Sequence, residues 1–287
     1  ISLMKNIIVG IDFSKGSLNA MKHAVSLTIK LKANLTLLYS LTPDAKIIEE
    51  TSITLKKNIL DVAEKKLVEL TDYCQKHIYH SKVKYKIRYG KAAKEINEEV
   101  KEQGNAIIVV GAHGSSGFEE LFVGSTAMKI IGMCDCPVLT VRDTVNIHRD
   151  LTDIVVIIDS SRETLQKVKM AAVLAKAFQA KIHLIGLYTS KFRDLRVLVD
   201  AYLNKAEVYL TKRDVRLESK IIESDKDPKQ VIDIAKNVNA NLIIAMKETD
   251  LYGDEGFSLT SFSQKLINRS PVPVLSINVD KSIYNVS

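Results

Sequence analysis

Apolar residues fall along this chain in two alternating patterns. Short unbroken runs, such as Ile7-Ile8-Val9, Leu35-Thr36-Leu37-Leu38 and Ile107-Ile108-Val109-Val110, are strand-sized and do not alternate with polar residues. That is the pattern of strands buried on both faces. Between them apolar positions recur at helical spacing: Ala20, Ala24, Leu27 and Leu31, then Ile59, Ala63, Leu67 and Leu70. Each set lies on one face of a helix. The first half therefore predicts strands near 5–12, 34–41, 83–89, 106–111 and 137–142, and helices near 16–31, 51–80, 92–103 and 125–133. Such strands, each followed by a helix, imply an α/β fold with a parallel sheet covered on both faces.

The pattern occurs twice. Ile7 to Ser14 ends in Asp-Phe-Ser, and Ile154 to Ser161 ends in Asp-Ser-Ser, at an offset of 147. Leu35 to Tyr39 matches Ile182 to Gly186 at the same offset. Gly104 to Val110 then matches Asn239 to Ala245 at offset 135, and Cys136 to Val141 matches Val272 to Ile277 at 136. Four matches in one order mean two copies of one unit. The falling offset shortens the second copy between its second strand and its third helix. The polar stretch Arg142 to Leu151 reads as a linker, giving domains 4–143 and 151–280. The expected architecture is two tandem open parallel five-stranded sheets, with helices on both faces of each.

Length and composition fit two domains of this size. The chain has 287 residues, 46% apolar and 26% charged, as in ordinary globular proteins. No run approaches the roughly 18 apolar residues of a membrane span, so no membrane partner is expected. Net charge is +7, which favours anionic ligands without naming one. Lysines interleave with acids on the predicted helices, as on solvated faces. No basic stripe with exposed aromatics stands out, so no nucleic-acid partner is expected. Three cysteines are too few for a disulfide framework, and no signal peptide is visible. A cytoplasmic location is the simplest expectation. Cys134-Asp135-Cys136 and the pair His77, His80 lack the ligand number of a metal site.

Ligands of open α/β sheets bind past the carboxyl ends of the strands, where the strand order switches. After the first strand stands Asp12-Phe13-Ser14. After the fourth comes Gly111-Ala112-His113-Gly114-Ser115-Ser116-Gly117, and then Gly124-Ser125-Thr126 opens a helix. Glycines let backbone approach a ligand closely. A helix N-terminus with hydroxyl donors favours a phosphate. The alternative is a crossover loop ending in an ordinary helix cap. Neither the Walker P-loop nor the dinucleotide fingerprint is present.

The spacing Gly111-x2-Gly114-x9-Gly124-Ser125, with Asp12-Phe13-Ser14 ending the first strand and Pro137-Val138 in the last, resembles the signature of ATP-binding universal stress proteins. The resemblance spans nearly the whole chain, as a tandem pair of Rossmann-like domains. It implies an adenine nucleotide, ATP or ADP, with or without Mg2+, in the first domain. Asp12 would meet the ribose and the backbone around Ser40 the adenine. Gly111 and Gly114 would line the ribose–phosphate path, with His113 near a phosphate. Gly124, Ser125 and Thr126 would hold the phosphates.

The second copy departs from this signature. Met246, Thr249 and Tyr252 align with Gly111, Gly114 and Gly117, and Thr260 aligns with Gly124. Glu248, Asp250, Asp254 and Glu255 bring carboxylates that repel phosphate. A degenerate second site is expected, although Asp159 and Ser161 persist. The family likeness further implies an internal pseudo-dimer through the last strands, and a possible homodimer. A nucleotide-binding regulator of the stress response is the leading expectation. A slow ATPase or phosphotransferase, and a non-nucleotide small-molecule carrier or scaffold, are the alternatives.

Overall fold

A computed structural model describes residues 4–42, 53–112, 123–142, 150–224, 227–247 and 261–279. The first half runs β1 (Asn6–Ile11), α1 (Lys15–Leu31), β2 (Asn34–Leu41), α2 (Ile53–His77), β3 (Val83–Tyr89), α3 (Ala92–Gln103), β4 (Ala106–Gly111), α4 (Ser125–Met133) and β5 (Val138–Val141). The second repeats the order: β6 (Asp153–Ile158), a 3-10 turn (Arg162–Leu165), α5 (Gln166–Phe178), β7 (Lys181–Tyr188), α6 (Arg193–Thr211), β8 (Leu217–Glu223), α7 (Lys229–Asn237), β9 (Leu242–Met246), α8 (Ser261–Arg269) and β10 (Val274–Ile277).

Each half is a five-stranded parallel sheet with the order 3-2-1-4-5, as the unbroken apolar runs require. The two sheets are continuous. The full order is β3-β2-β1-β4-β5-β10-β9-β6-β7-β8, and the halves meet where β10 runs antiparallel to β5, from Val274↔Thr140 to Ser276↔Val138. An apolar strand with one open edge leaves backbone donors and acceptors unpaired. Pairing β5 with β10 satisfies both edges at once. It also sets the carboxyl ends of one half beside the amino ends of the other.

Alternate residues of each strand enter opposite layers of the core. Ile7, Val9 and Ile11 of β1 pack under α1 and α2, whereas Ile8 joins Ile96 of α3 and Ile130 of α4 on the other face. Both layers run through both halves. Helix α1 opens on Ser14, whose hydroxyl accepts from Ser17 N at 3.2 Å, and closes on Lys32 in the left-handed region, φ 52°. Helix α3 is tied to the outer strand β3 by Glu99, a fully buried carboxylate. Lys86 Nζ lies 2.8 Å from it, and Arg88 and Gln103 also donate to it. Burial raises the Glu99 pKa, but these donors outweigh it and hold the carboxyl below its ordinary value.

Candidate functional site

The β1–β2 register runs from Asn6↔Asn34 to Ile11↔Tyr39, so Ser40 lies one residue past the end of β1. The β1–β4 register ends at Val9↔Val109. Beyond these points the chains diverge at the switch between β1 and β4, and a cavity of about 330 Å³ opens there. That lies within the range of about 300–1,000 Å³ typical of small-molecule sites. Gly10, Ile11 and Asp12 form one wall, Leu38 and Ser40 another, and Ala92 and Ile96 of α3 a third. Gly111 and Ala112 line the end of β4, and Gly124, Ser125 and Thr126 line the start of α4. Six of the predicted site residues, Asp12, Ser40, Gly111, Gly124, Ser125 and Thr126, thus meet in one cavity. His113 and Gly114 lie outside the described residues.

The turn after β1 is fixed by its own polar side chains. Asp12 Oδ1 accepts from Ser14 N at 3.0 Å and from Ser14 Oγ at 2.5 Å. Asp12 N donates to Ser17 Oγ at 3.3 Å. Between them Phe13 is held at φ 63°, a conformation that costs a non-glycine residue about 1–3 kcal/mol. Its ring is fixed against Tyr39, with centroids 5.1 Å apart, under the Lys66 ammonium. Ser17 was not expected in the site; it lines the cavity and braces this turn. Its position three residues after Ser14, as in a cap, was the available signal.

Ser40 Oγ donates to Gly90 O at 2.7 Å, so its hydroxyl proton is engaged by the neighbouring strand end. The segment it anchors is what faces the cavity. Gly111 has a steric reason to be glycine. A Cβ there would lie 2.6 Å from Gly16 C and 2.9 Å from Ser17 N, because the end of β4 abuts the first turn of α1. Gly124 N donates to Ala112 O at 2.6 Å, which turns the chain into α4. Gly124 caps α4 without a side-chain bond, so the first-turn N–H groups of this helix point outward without a side-chain acceptor from the cap. Ser125 and Thr126 are exposed there. A helix start of this kind carries partial positive charge. Among the described residues of the cavity wall, Asp12 is the one acidic side chain.

Among the described residues, the second half repeats the turn and differs at the end of β9. Asp159 N donates to Thr164 Oγ1 at 3.0 Å, and Asp159 Oδ1 accepts from Ser161 N at 2.8 Å and from Ser161 Oγ. Lys167 of α5, 1% exposed, reaches Asp159 Oδ2 at 3.2 Å. Burial raises the Asp159 pKa, but the Lys167 ammonium and the Ser161 donors outweigh it and hold the carboxyl below its ordinary value. The 147 offset places Lys167 at the position of Ala20, which is fully buried. At the end of β9 the buried side chain of Met246 stands where Gly111 leaves bare backbone. Ser263 Oγ donates to Met246 O at 3.2 Å. Lys167 was not expected from sequence, although the offset alone would have set it opposite an alanine. The expected carboxylate loop, 248–255, lies outside the described residues. Among the described residues no group of three metal-ligating side chains forms a site, and Cys134 and Cys136 are buried.

Comparison with known proteins adds the lineage. The profile of the universal stress protein family matches residues 4–142 and again 151–278. The universal stress protein YxiE of Bacillus subtilis is 32% identical over 157 residues, covering 49% of this chain and all of that protein. A universal stress protein of Methanocaldococcus jannaschii, MJ0531, is 28% identical over 49% of this chain and 84% of its own length. Among solved structures, a universal stress protein of Archaeoglobus fulgidus superposes with a TM-score of 0.77 at 18% identity, over 96% of this chain and 98% of the other. That likeness extends the shared fold over both halves together. The chain belongs to the universal stress protein family, with two copies of the family unit in tandem.

Proposed function

We propose that the first unit (4–143) binds an adenine nucleotide, ATP or ADP, as a regulatory ligand, and that the second (151–280) does not. The observation that carries this reading is the junction at the cavity of an acidic turn with an open helix start. Asp12 is an acceptor suited to ribose hydroxyls. The segment at Ser40 presents strand backbone past the end of β1, suited to a base edge. The α4 start offers N–H groups and the Ser125 and Thr126 hydroxyls to phosphate oxygens. His113 and Gly114 belong to the segment that joins the two sides of the site and would border the phosphates. Asp12 and the phosphates are both negative, so Mg2+ between them would relieve their repulsion.

In the second unit, Lys167 already supplies the Asp159 carboxylate with a cation, and Met246 fills the glycine position. This supports a single nucleotide per chain. The β5–β10 pairing supports an internal pseudo-dimer, in which the tandem chain makes within itself a contact between last strands. Among the described residues no helix is long and apolar enough to cross a membrane.

Gly124→Asp tests the reading. Gly124 has φ −59° and ψ 149°, open to any residue, and aspartate is a favoured helix N-cap. The fold should therefore persist while a carboxylate meets the phosphates. ATP affinity should fall by at least about tenfold, or about 1.4 kcal/mol, with adenosine affinity retained. Undiminished ATP binding would refute the site.

A further inference from the structure

Helix α4 is gripped at both ends by side chains from the other half of the chain. Before its start, Val123 N donates to Asn268 Oδ1 at 2.9 Å. At its end, Lys247 Nζ donates to Gly132 O at 2.7 Å, and Asn278 Nδ2 donates to Cys134 O. Lys247 is 7% exposed and anchored at its own backbone, where Lys247 N meets Ile277 O at 2.7 Å. A cation at a helix C-terminus also complements the helix dipole.

The side chains that hold α4 differ from their counterparts in the repeat. The repeat offsets place Ala112 at the position of Lys247 and Gly132 at that of Asn268. Neither has a side chain able to reciprocate. Arg142, at the position of Asn278, donates to Asn268 O at 2.6 Å, the counterpart on α8 of Gly132 O. Among the described residues, a lysine and two asparagines of the second unit hold α4, the helix whose other end lines the cavity.

We propose that the second unit serves as a clamp for the ligand helix of the first, with Lys247 and Asn268 as positioning residues for phosphate. This rests on the nucleotide reading above. Neither residue lines the cavity. At 1.5 Å per residue, the Lys247 contact lies about 10 Å along α4 from the first-turn N–H groups. Its influence must pass through the placement of the helix. The nucleoside end of the site stands on β1, β2 and α3, which these side chains do not hold.

The test uses the full chain with Lys247→Met, which keeps the length of the side chain, and Asn268→Ala, which acts at the opposite end of α4. Binding of ATP and of adenosine is measured by calorimetry, and exchange of the α4 amides by mass spectrometry. Each variant should weaken ATP by about fivefold or more, within the usual range of coupling between sites. Adenosine binding should stay within about twofold of wild type. The amides of α4 should exchange faster while those of β1 and β2 keep their protection. Equal losses for ATP and adenosine would overturn the clamp, because they report a general loosening. So would unchanged ATP affinity in both variants, or unchanged α4 exchange. Wild-type protein that binds neither compound would instead refute the nucleotide reading, and the exchange of α4 would still decide whether the second unit holds it.

Discussion

Replacing Gly111 by alanine separates a packing role from a ligand role. The added Cβ would sit 2.6 Å from Gly16 C, and 2.9 Å from both Gly16 O and Ser17 N. Carbon atoms in contact prefer about 3.5–4.0 Å, so the methyl group arrives roughly 1 Å too close. All three obstructing atoms are backbone in the first turn of α1, and no rotamer change can clear them. The helix start must move, and Ser17 carries the bond that braces Asp12. Overpacking of this kind costs about 1–3 kcal/mol. At about 2–4 °C per kcal/mol for large domains, the melting temperature should fall by about 2–12 °C. Gly10→Ala is the control. Its Cβ would meet Ile96 Cδ1 at 3.2 Å and Val110 Cγ1 at 3.6 Å, both side-chain ends that can yield. Thermal melts of ligand-free protein followed by circular dichroism compare the two. A Gly111→Ala melt within about 1 °C of wild type would refute the steric argument. A Gly10→Ala loss of equal size would refute it too.

Lys167→Met should cost about 2 kcal/mol in urea unfolding. That is less than the 3–5 kcal/mol of a sealed pair, because the Asp159 side chain keeps 20% exposure and its Ser161 donors. The Asp159 carboxyl is held below its unfolded value of about 3.9, so its contribution is complete above that pH and is lost as pH falls through the folded value. Asp159→Asn should therefore flatten the acid limb of a stability–pH curve, and an unchanged limb would contradict the pairing. The thiols of Cys74 and Cys134 are pushed up to about 12 by burial, and Cys136 is raised further by the same cause. A maleimide at neutral pH should label none of the three in folded protein and all three in denaturant.

The sequence-level pattern located the strands closely because they are buried on both faces, so their apolar runs stop where the sheet stops. β2, β3 and β4 fall on 34–41, 83–89 and 106–111 as expected. Helix α2, expected over 51–80, spans Ile53–His77 and stops three residues early at its carboxyl end, since periodicity does not mark where a helix stops; residues 51 and 52 lie outside the described residues. The glycine spacing singled out both sides of the cavity, since it reports backbone that must come close to something. It could not tell what. At Gly111 the near neighbour is α1, a contact between segments far apart in sequence. Lys167 was hidden for a related reason. A lysine on a helix reads as solvated until the fold shows that its turn lies beneath Asp159. The cross-unit bonds of Lys247 and Asn268 depend on the antiparallel meeting of β5 and β10, which no local pattern encodes.

The most direct test of the account counts adenine nucleotide bound per chain. Purified protein stripped of ligand would be titrated with ATP and Mg2+ by calorimetry, and the nucleotide released from the saturated complex identified by mass spectrometry. One ATP or ADP per chain is expected, bound at least about tenfold more weakly by Gly124→Asp and with unchanged stoichiometry in Lys167→Met. Two nucleotides per wild-type chain would contradict the closed second unit, and none would contradict the nucleotide site itself.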